Sequence, residues 1–215
     1  MRVAIFSDVH GNTAALRRVL ADARERGAEA FYNLGDTGNG ETHPVLSQVS
    51  PKSVIGNWEV SSWQTLPSPW REQVRSWPFI RREGEVFFCH ASPVWPETVR
   101  TLEDAARYVQ ERGSWFALFP ALHQDEEARW QAFAHMAEAG ARLTFHGHTH
   151  VQAAWQLTGD NRLRSLSGPH IDLAPDALYI IGVGSVGRPL DGPGWCYALW
   201  DTEAHRVTLI RLREG

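Results

Sequence analysis

Cysteine is scarce in this 215-residue chain: Cys89 and Cys196 are the only two, so no disulfide framework can staple the fold. Long apolar runs are missing as well, and none approaches the roughly 20 residues needed to cross a bilayer. The opening residues 1–8 do not read as a secretory leader, because their apolar run is short and ends at Asp8. Positive charge is not in excess. The 21 Lys and Arg face 25 Asp and Glu, for a formal net charge of −4, which excludes broad nucleic-acid binding through a basic surface. No repeat or low-complexity tract is present. These absences set the expectation of a reducing, cytoplasmic protein with no membrane partner. What the chain has in excess is tryptophan, ten in all.

The length suffices for one sizeable core, and the expectation is a single domain over 1–215 with a helical cap at 91–140. Residues 2–7 read as a buried strand that stops at Asp8-Val9-His10. Residues 13–26 follow with Leu16, Val19, Leu20 and Ala23 at helical spacing and Gly27 as the stop. Residues 30–34 give a second strand leading into Gly35-Asp36, and this strand–helix–strand start predicts a parallel pair with a right-handed crossover. Further strands are predicted at 52–55, 79–82, 86–89, 142–145, 152–157, 163–166, 179–183, 195–201 and 207–212. Helices are predicted at 102–112 and 125–139. The stretch 63–82, rich in Trp and Pro, reads as surface winding before its strand.

Seven polar residues gather where the strands end: Asp8, His10, Asp36, Asn57, His90, His148 and His150. In an open α/β sheet, ligands bind outside the carboxyl ends of the strands. His148 and His150 can share one side of an extended segment, as can Asp8 and His10. Carboxylate, imidazole and amide donors without thiolate suit Mn, Fe, Co, Ni or Zn rather than a structural zinc knot. Seven donors are too many for one ion and suit two that share a carboxylate. Each piece alone has a plainer role: Gly-Asp after a strand is usually a turn, and a lone His90 is a satisfied core histidine. The ordered set points to metal. Cys89 alternates with His90 along its strand and reads as core.

The order Asp-x-His, Gly-Asp, Gly-Asn-x-Glu, His, Gly-His-x-His resembles the calcineurin-like metallophosphoesterase family, over residues 3–201. The resemblance implies an α/β fold, a four-layer αββα sandwich with two mixed β-sheets and a dinuclear metal centre. It implies that Asp8, His10 and His150 hold one divalent ion, that Asn57, His90 and His148 hold the other, and that Asp36 bridges them. Manganese is the first choice of metal, with iron, zinc, nickel and cobalt as alternatives. The implied activity is hydrolysis of a small phosphoester, a diester ahead of a monoester, by hydroxide held between ions about 3.5–4 Å apart. Asp36, Asn57 and His90 are then expected at the reacting phosphate. Residues 182–192, Gly-Val-Gly-Ser-Val-Gly-Arg-Pro-Leu-Asp-Gly, are similar to a stretch of small prokaryotic phosphodiesterase-like members, and Arg188 is expected to reach a phosphate. Dinucleoside polyphosphate hydrolases and protein phosphatases carry arginines after the bridging Asp and before Gly-Asn-His. Here Thr37-Gly38-Asn39-Gly40 and Val54-Ile55 have none.

One position departs from the pattern. The family's third motif is usually Gly-Asn-His-Asp/Glu, and here it is Gly56-Asn57-Trp58-Glu59. Indole donates one hydrogen bond but cannot exchange a proton near neutral pH. General-acid catalysis is worth about 10²–10⁴-fold, and its loss falls hardest on poor leaving groups. Three outcomes are open: substrates with good leaving groups, a substitute acid from His43, His123 or His170, or a catalytically silent metal- and phosphate-binding protein. Retention of all seven donors favours the active phosphodiesterase. Trp58 beside the site, with Trp63, Trp95 and Trp115 expected at its rim, points to base stacking by a nucleotide substrate, with Asn57, Trp58 and Arg188 as substrate contacts. Packing of the cap against the sandwich is the plainer use of these rings.

Overall fold

The computed structural model describes residues 1–213, so the last two residues of the expected 1–215 domain lie outside the described residues. In chain order the elements are β1 (Arg2–Phe6), α1 (Thr13–Glu25), β2 (Ala30–Asn33), α2 (His43–Leu46), β3 (Lys52–Ser53), α3 (Asn57–Ser62), α4 (Ser68–Arg75), β4 (Ile80–Glu83), β5 (Val86–Cys89), α5 (Leu102–Arg112), α6 (Glu126–Glu138), β6 (Leu143–His146), β7 (Gln152–Leu157), β8 (Leu163–Leu166), β9 (His170–Asp172), β10 (Leu178–Val183), β11 (Trp195–Asp201) and β12 (Arg206–Leu212). Short 3₁₀ turns at Trp63–Thr65 and Trp115–Ala117 follow α3 and α5.

β1 is apolar on both faces, which is what a strand covered on both sides requires. Val3 and Ile5 enter one core, while Ala4 and Phe6 enter another. The strands form two six-stranded sheets in the orders β3-β2-β1-β11-β12-β9 and β4-β5-β6-β10-β7-β8. Each is mixed. β1, β2 and β3 run parallel in the first, β5, β6 and β10 in the second, and the remaining pairs are antiparallel. The sheets pack face to face through Ile5, Leu34, Phe88, Phe145, Tyr179 and Ile181. α1 covers the outside of the first sheet with Leu16, Val19 and Leu20, its start capped by Asn12 accepting from Ala15 N. α6 covers the second, setting Phe133 and Met136 with Phe87 and Ile180. The result is the expected four-layer αββα sandwich. Among the described residues, no helix is long and apolar enough to cross a membrane.

The stretch 91–140 divides between two places. α6 is the outer layer just described, whereas α5 packs on α3 at the rim of the sandwich. The rim cluster also takes in Trp58, Trp63, Trp70, Trp77 and Trp95, so half of the chain's tryptophans go into packing. Five elements differ from the sequence reading, two of them the short helices α2 and α3, where no helix is predicted. α4 occupies part of the stretch expected to wind over the surface. Its prolines are a start signal, since Pro69 falls in the first turn, where a missing N–H costs nothing. β3 stops after two residues because the chain crosses toward the other sheet, where Ile55 N donates to Pro78 O. β9 is a three-residue edge strand, too short to show a period.

Candidate metal centre

The parallel strands of both sheets end at one rim, and the seven donors sit there. Asp8 and His10 follow β1, Asp36 follows β2, Asn57 opens α3 after β3, His90 follows β5, and His148 and His150 follow β6. Asp8, His10, Asp36, His148 and His150 all have left-handed backbones, with φ between 48° and 62°. Asp and His tolerate this region better than most residues, yet each such site costs of order 1–3 kcal/mol and persists only where its surroundings over-determine it. Here the turns after β1 and β2 are tied together, with Asp8 N donating to Gly35 O at 3.0 Å and His10 N to Asp36 O at 2.9 Å.

Two clusters meet at Asp36. On one side, Asp8 Oδ1 lies 3.2 Å from His150 Nε2 and 3.7 Å from His10 Nε2, and the two imidazole nitrogens are 3.0 Å apart. On the other, Asn57 Oδ1 lies 2.9 Å from His90 Nε2 and 2.8 Å from His148 Nδ1. Asp36 spans them: Oδ2 is 3.7 Å from His10 Nε2, and Oδ1 is 3.5 Å from His90 Nε2.

The donor chemistry fits divalent cations. His90 Nδ1 donates to Leu34 O at 2.7 Å, and His150 Nδ1 donates to Arg188 O at 2.6 Å, so Nε2 of each ring faces the cluster and offers its lone pair when the ring is neutral. At Asn57 the lone pair of a neutral His90 meets an acceptor oxygen, and a cation held between them satisfies both. Asp8 Oδ1 is buried and receives no well-aligned hydrogen bond, an orphaned anion oxygen aimed into the site. Burial pushes the Asp36 carboxyl above its usual range, with His90 opposing and Asp8 reinforcing. Burial also pushes the Asp8 carboxyl up, but contacts with His10 and His150 outweigh it and leave it well below that range. Burial, helped by His90, brings His148 down to about 3, so its ring stays neutral and able to ligate.

The supports of this site were less visible in the sequence. Glu59 is fully buried, and its carboxylate accepts from the backbone N–H of Asp36, Thr37 and Gly56, each at 2.8 Å. Trp58 N donates to Asp36 Oδ1 at 2.7 Å, and Ser185 Oγ donates to Asp8 O at 2.8 Å. Gly56 is required for close approach: a Cβ there would collide with Asp36 Oδ1 and lie 2.6 Å from Asp36 N. Phe119, which carried no motif signal, sets its ring against His90 and His148 at centroid distances of 5.7 and 6.0 Å. His146 is one residue from Gly147, yet it faces the helical layer, stacked with Trp155, and burial takes it down to about 4.

The other singled-out residues fall as follows. The Trp58 ring packs half-buried in the rim cluster. Arg188 is exposed beside His150, and its guanidinium has no hydrogen bond or ion pair among the described residues. None of the three substitute acids is drawn into the ligand cluster. His43 is buried between Trp70 and Trp77, His123 lies beside α6, and His170, exposed on β9, pairs with Thr208 of β12. Cys89 and Cys196 are both buried free thiols, and Cys89 donates to Phe145 O rather than facing the site.

Comparison with known proteins identifies the fold and the family. A protein of Methanocaldococcus jannaschii is 25% identical over 98% of this chain and 86% of its own. The crystal structure of a metallophosphoesterase from Sphaerobacter thermophilus superposes with a TM-score of 0.67 at 26% identity, covering 100% of this chain and 90% of that one. An archaeal phosphodiesterase shares the fold, with a TM-score of 0.55 at 14% identity over 99% of this chain and all of that one. The calcineurin-like phosphoesterase superfamily domain matches residues 1–205, and with the metal-ligand clusters in place the chain belongs to that superfamily of divalent-metal phosphoester hydrolases.

Proposed function

We propose that this chain, as one domain over 1–215, is a metal-dependent phosphodiesterase acting on a small phosphodiester, with a nucleotide as the candidate substrate class. The observation that supports it most is the placement of Asp36, one oxygen toward each cluster of lone pairs. Asp8, His10 and His150 would hold one divalent ion and Asn57, His90 and His148 the other, with Asp36 shared and manganese the first choice. Bound there, two such ions supply charge neutralisation at phosphorus and a water acidic enough to attack near neutral pH.

The protein's own residues do the rest. Leu34 O and Arg188 O fix the tautomers of His90 and His150. Asn57 Oδ1 stays fixed between His90 and His148. Phe119 closes the wall behind His90 and His148 against water. Arg188, exposed and without a side-chain partner among the described residues, would meet a phosphate oxygen. No side chain with an exchangeable proton stands at position 58, so the leaving group departs without an acid from that position, which favours esters of acidic alcohols. The same observation supports the second reading, a silent binding protein. Two buried free thiols accord with a cytoplasmic home.

Hydrolysis of bis-p-nitrophenyl phosphate with added manganese is the test. Turnover that disappears with chelator, and in Asp36→Asn, is the expected result. No turnover with any divalent ion would favour the binding protein, and full activity in Asp36→Asn would overturn the site assignment.

A further inference from the structure

A groove of about 460 Å³ lies between α3 and α5, on the rim cluster that flanks the metal centre. Each wall connects to the metal centre through neighbouring residues. On α3, Asn57 and Ser61 lie one turn apart on the same face, and Ser61 lines the groove. On the other side Phe119, seated against His90 and His148, touches Trp115 with 6.1 Å between ring centroids, and Trp115 lines the groove too. α5 contributes Arg107 and Gln110 from the exposed side that flanks its buried Leu102, Ala105 and Val109.

The two indoles in the groove are not equivalent. Trp63 is 7% exposed, and the Arg75 guanidinium sits over its ring at 4.9 Å. Trp115 is 39% exposed, on a one-turn 3₁₀ helix, with ring surface free. Charge within the groove is cancelled: Glu103 pairs with Arg75 at 3.5 Å, and Arg107 pairs with Asp104 at 3.7 Å. Among the described residues, no lining side chain offers an unpaired cation for a second phosphate. Gln64, Gln110 and Ser61 offer neutral donors and acceptors instead.

We propose that this groove receives the uncharged aromatic base of one ester arm, stacked on Trp115, so that the substrate is a nucleotide phosphodiester with a single phosphate between its arms. The proposal rests on the phosphodiesterase reading for the placement of that phosphate at the metal centre. An exposed aromatic face accepts any base, and the amides read polar edges only loosely, so base identity is weakly selected.

The test compares two diesters with the same p-nitrophenolate leaving group, thymidine 5′-(p-nitrophenyl phosphate) and methyl p-nitrophenyl phosphate, in the manganese-loaded protein. The ratio of their kcat/KM values should fall about tenfold in Trp115→Ala and return in Trp115→Phe, the scale expected for one stacked base. Thymidine 5′-monophosphate, titrated calorimetrically, should lose affinity by a similar factor in Trp115→Ala only. An unchanged ratio and an unchanged thymidine monophosphate affinity would overturn the groove assignment while leaving the hydrolase intact. Absence of turnover of either diester, with the affinity loss still present, would support the groove and sink the hydrolase.

Discussion

Glu59→Gln is the change that best probes how the site is built. The wild-type carboxylate accepts from Asp36 N and Gly56 N through Oε2 and from Thr37 N through Oε1. A glutamine carbonyl can keep the first two bonds, but its NH₂ then faces the Thr37 N–H, donor against donor. Leaving that buried N–H unsatisfied costs about 1–3 kcal/mol. The two surviving bonds lose charge assistance, which roughly halves them and adds about 1–2 kcal/mol. One term opposes this. Burial, then repulsion from Asp36, pushes the Glu59 carboxyl above its usual range, and removing that anion relieves the strain. The losses sum to about 2–5 kcal/mol, and the relief puts the net in the lower part of that range, about 2–3 kcal/mol in metal-free protein. For a chain of this size that is a fall in Tm of roughly 4–12 °C. Because the same bonds hold Asp36 in its left-handed turn, metal affinity should also drop about 10–100-fold. Urea unfolding in chelator and calorimetric manganese titration read the two effects separately. A Glu59→Gln protein as stable as wild type, with undiminished metal affinity, would refute the reasoning.

His43 gives a prediction about pH. Burial holds it down to about 4 from 6.5, so between those values the unfolded chain binds the proton more readily and stability falls as pH falls. In full the shift is worth about 3 kcal/mol, and about 2 kcal/mol after discounting for screening by nearby solvent. His43→Phe, which keeps the stack with Trp70 and Trp77, should flatten the decline in urea-measured stability between pH 6.5 and 4. An identical decline in both proteins would show that other groups carry it. Trp58→His should raise turnover of alkyl diesters about tenfold or more while changing p-nitrophenyl esters little, because only the former need a proton on departure. A rise of equal size for both would mean that the substitution acts through packing.

Much of the site could be read from the sequence because each donor follows a strand, and strand ends in parallel sheets share a rim. The ordered motifs from Asp8 to His150 thus gave positions that the fold brings within hydrogen-bonding range of one another. What stayed hidden depends on contacts between distant segments. Glu59 is visible as the last residue of Gly-Asn-x-Glu, but its task of holding the Asp36 turn is hidden until that turn is laid against it. Phe119 belongs to no motif, and only the return of its segment over His90 makes it a wall. The excess of tryptophan was ambiguous for a physical reason. The same residue type fills the α3–α5 cluster and lines its open groove, and composition cannot tell buried rings from exposed ones.

The number of divalent ions bound per chain is the most direct test of the paired centre. Manganese-loaded protein, freed of loose metal and measured by plasma mass spectrometry against protein concentration, should hold two ions per chain. Asp36→Asn should hold no more than one. A wild-type protein that retains none, or an Asp36→Asn protein that retains both, would contradict a centre in which Asp36 joins two metal sites.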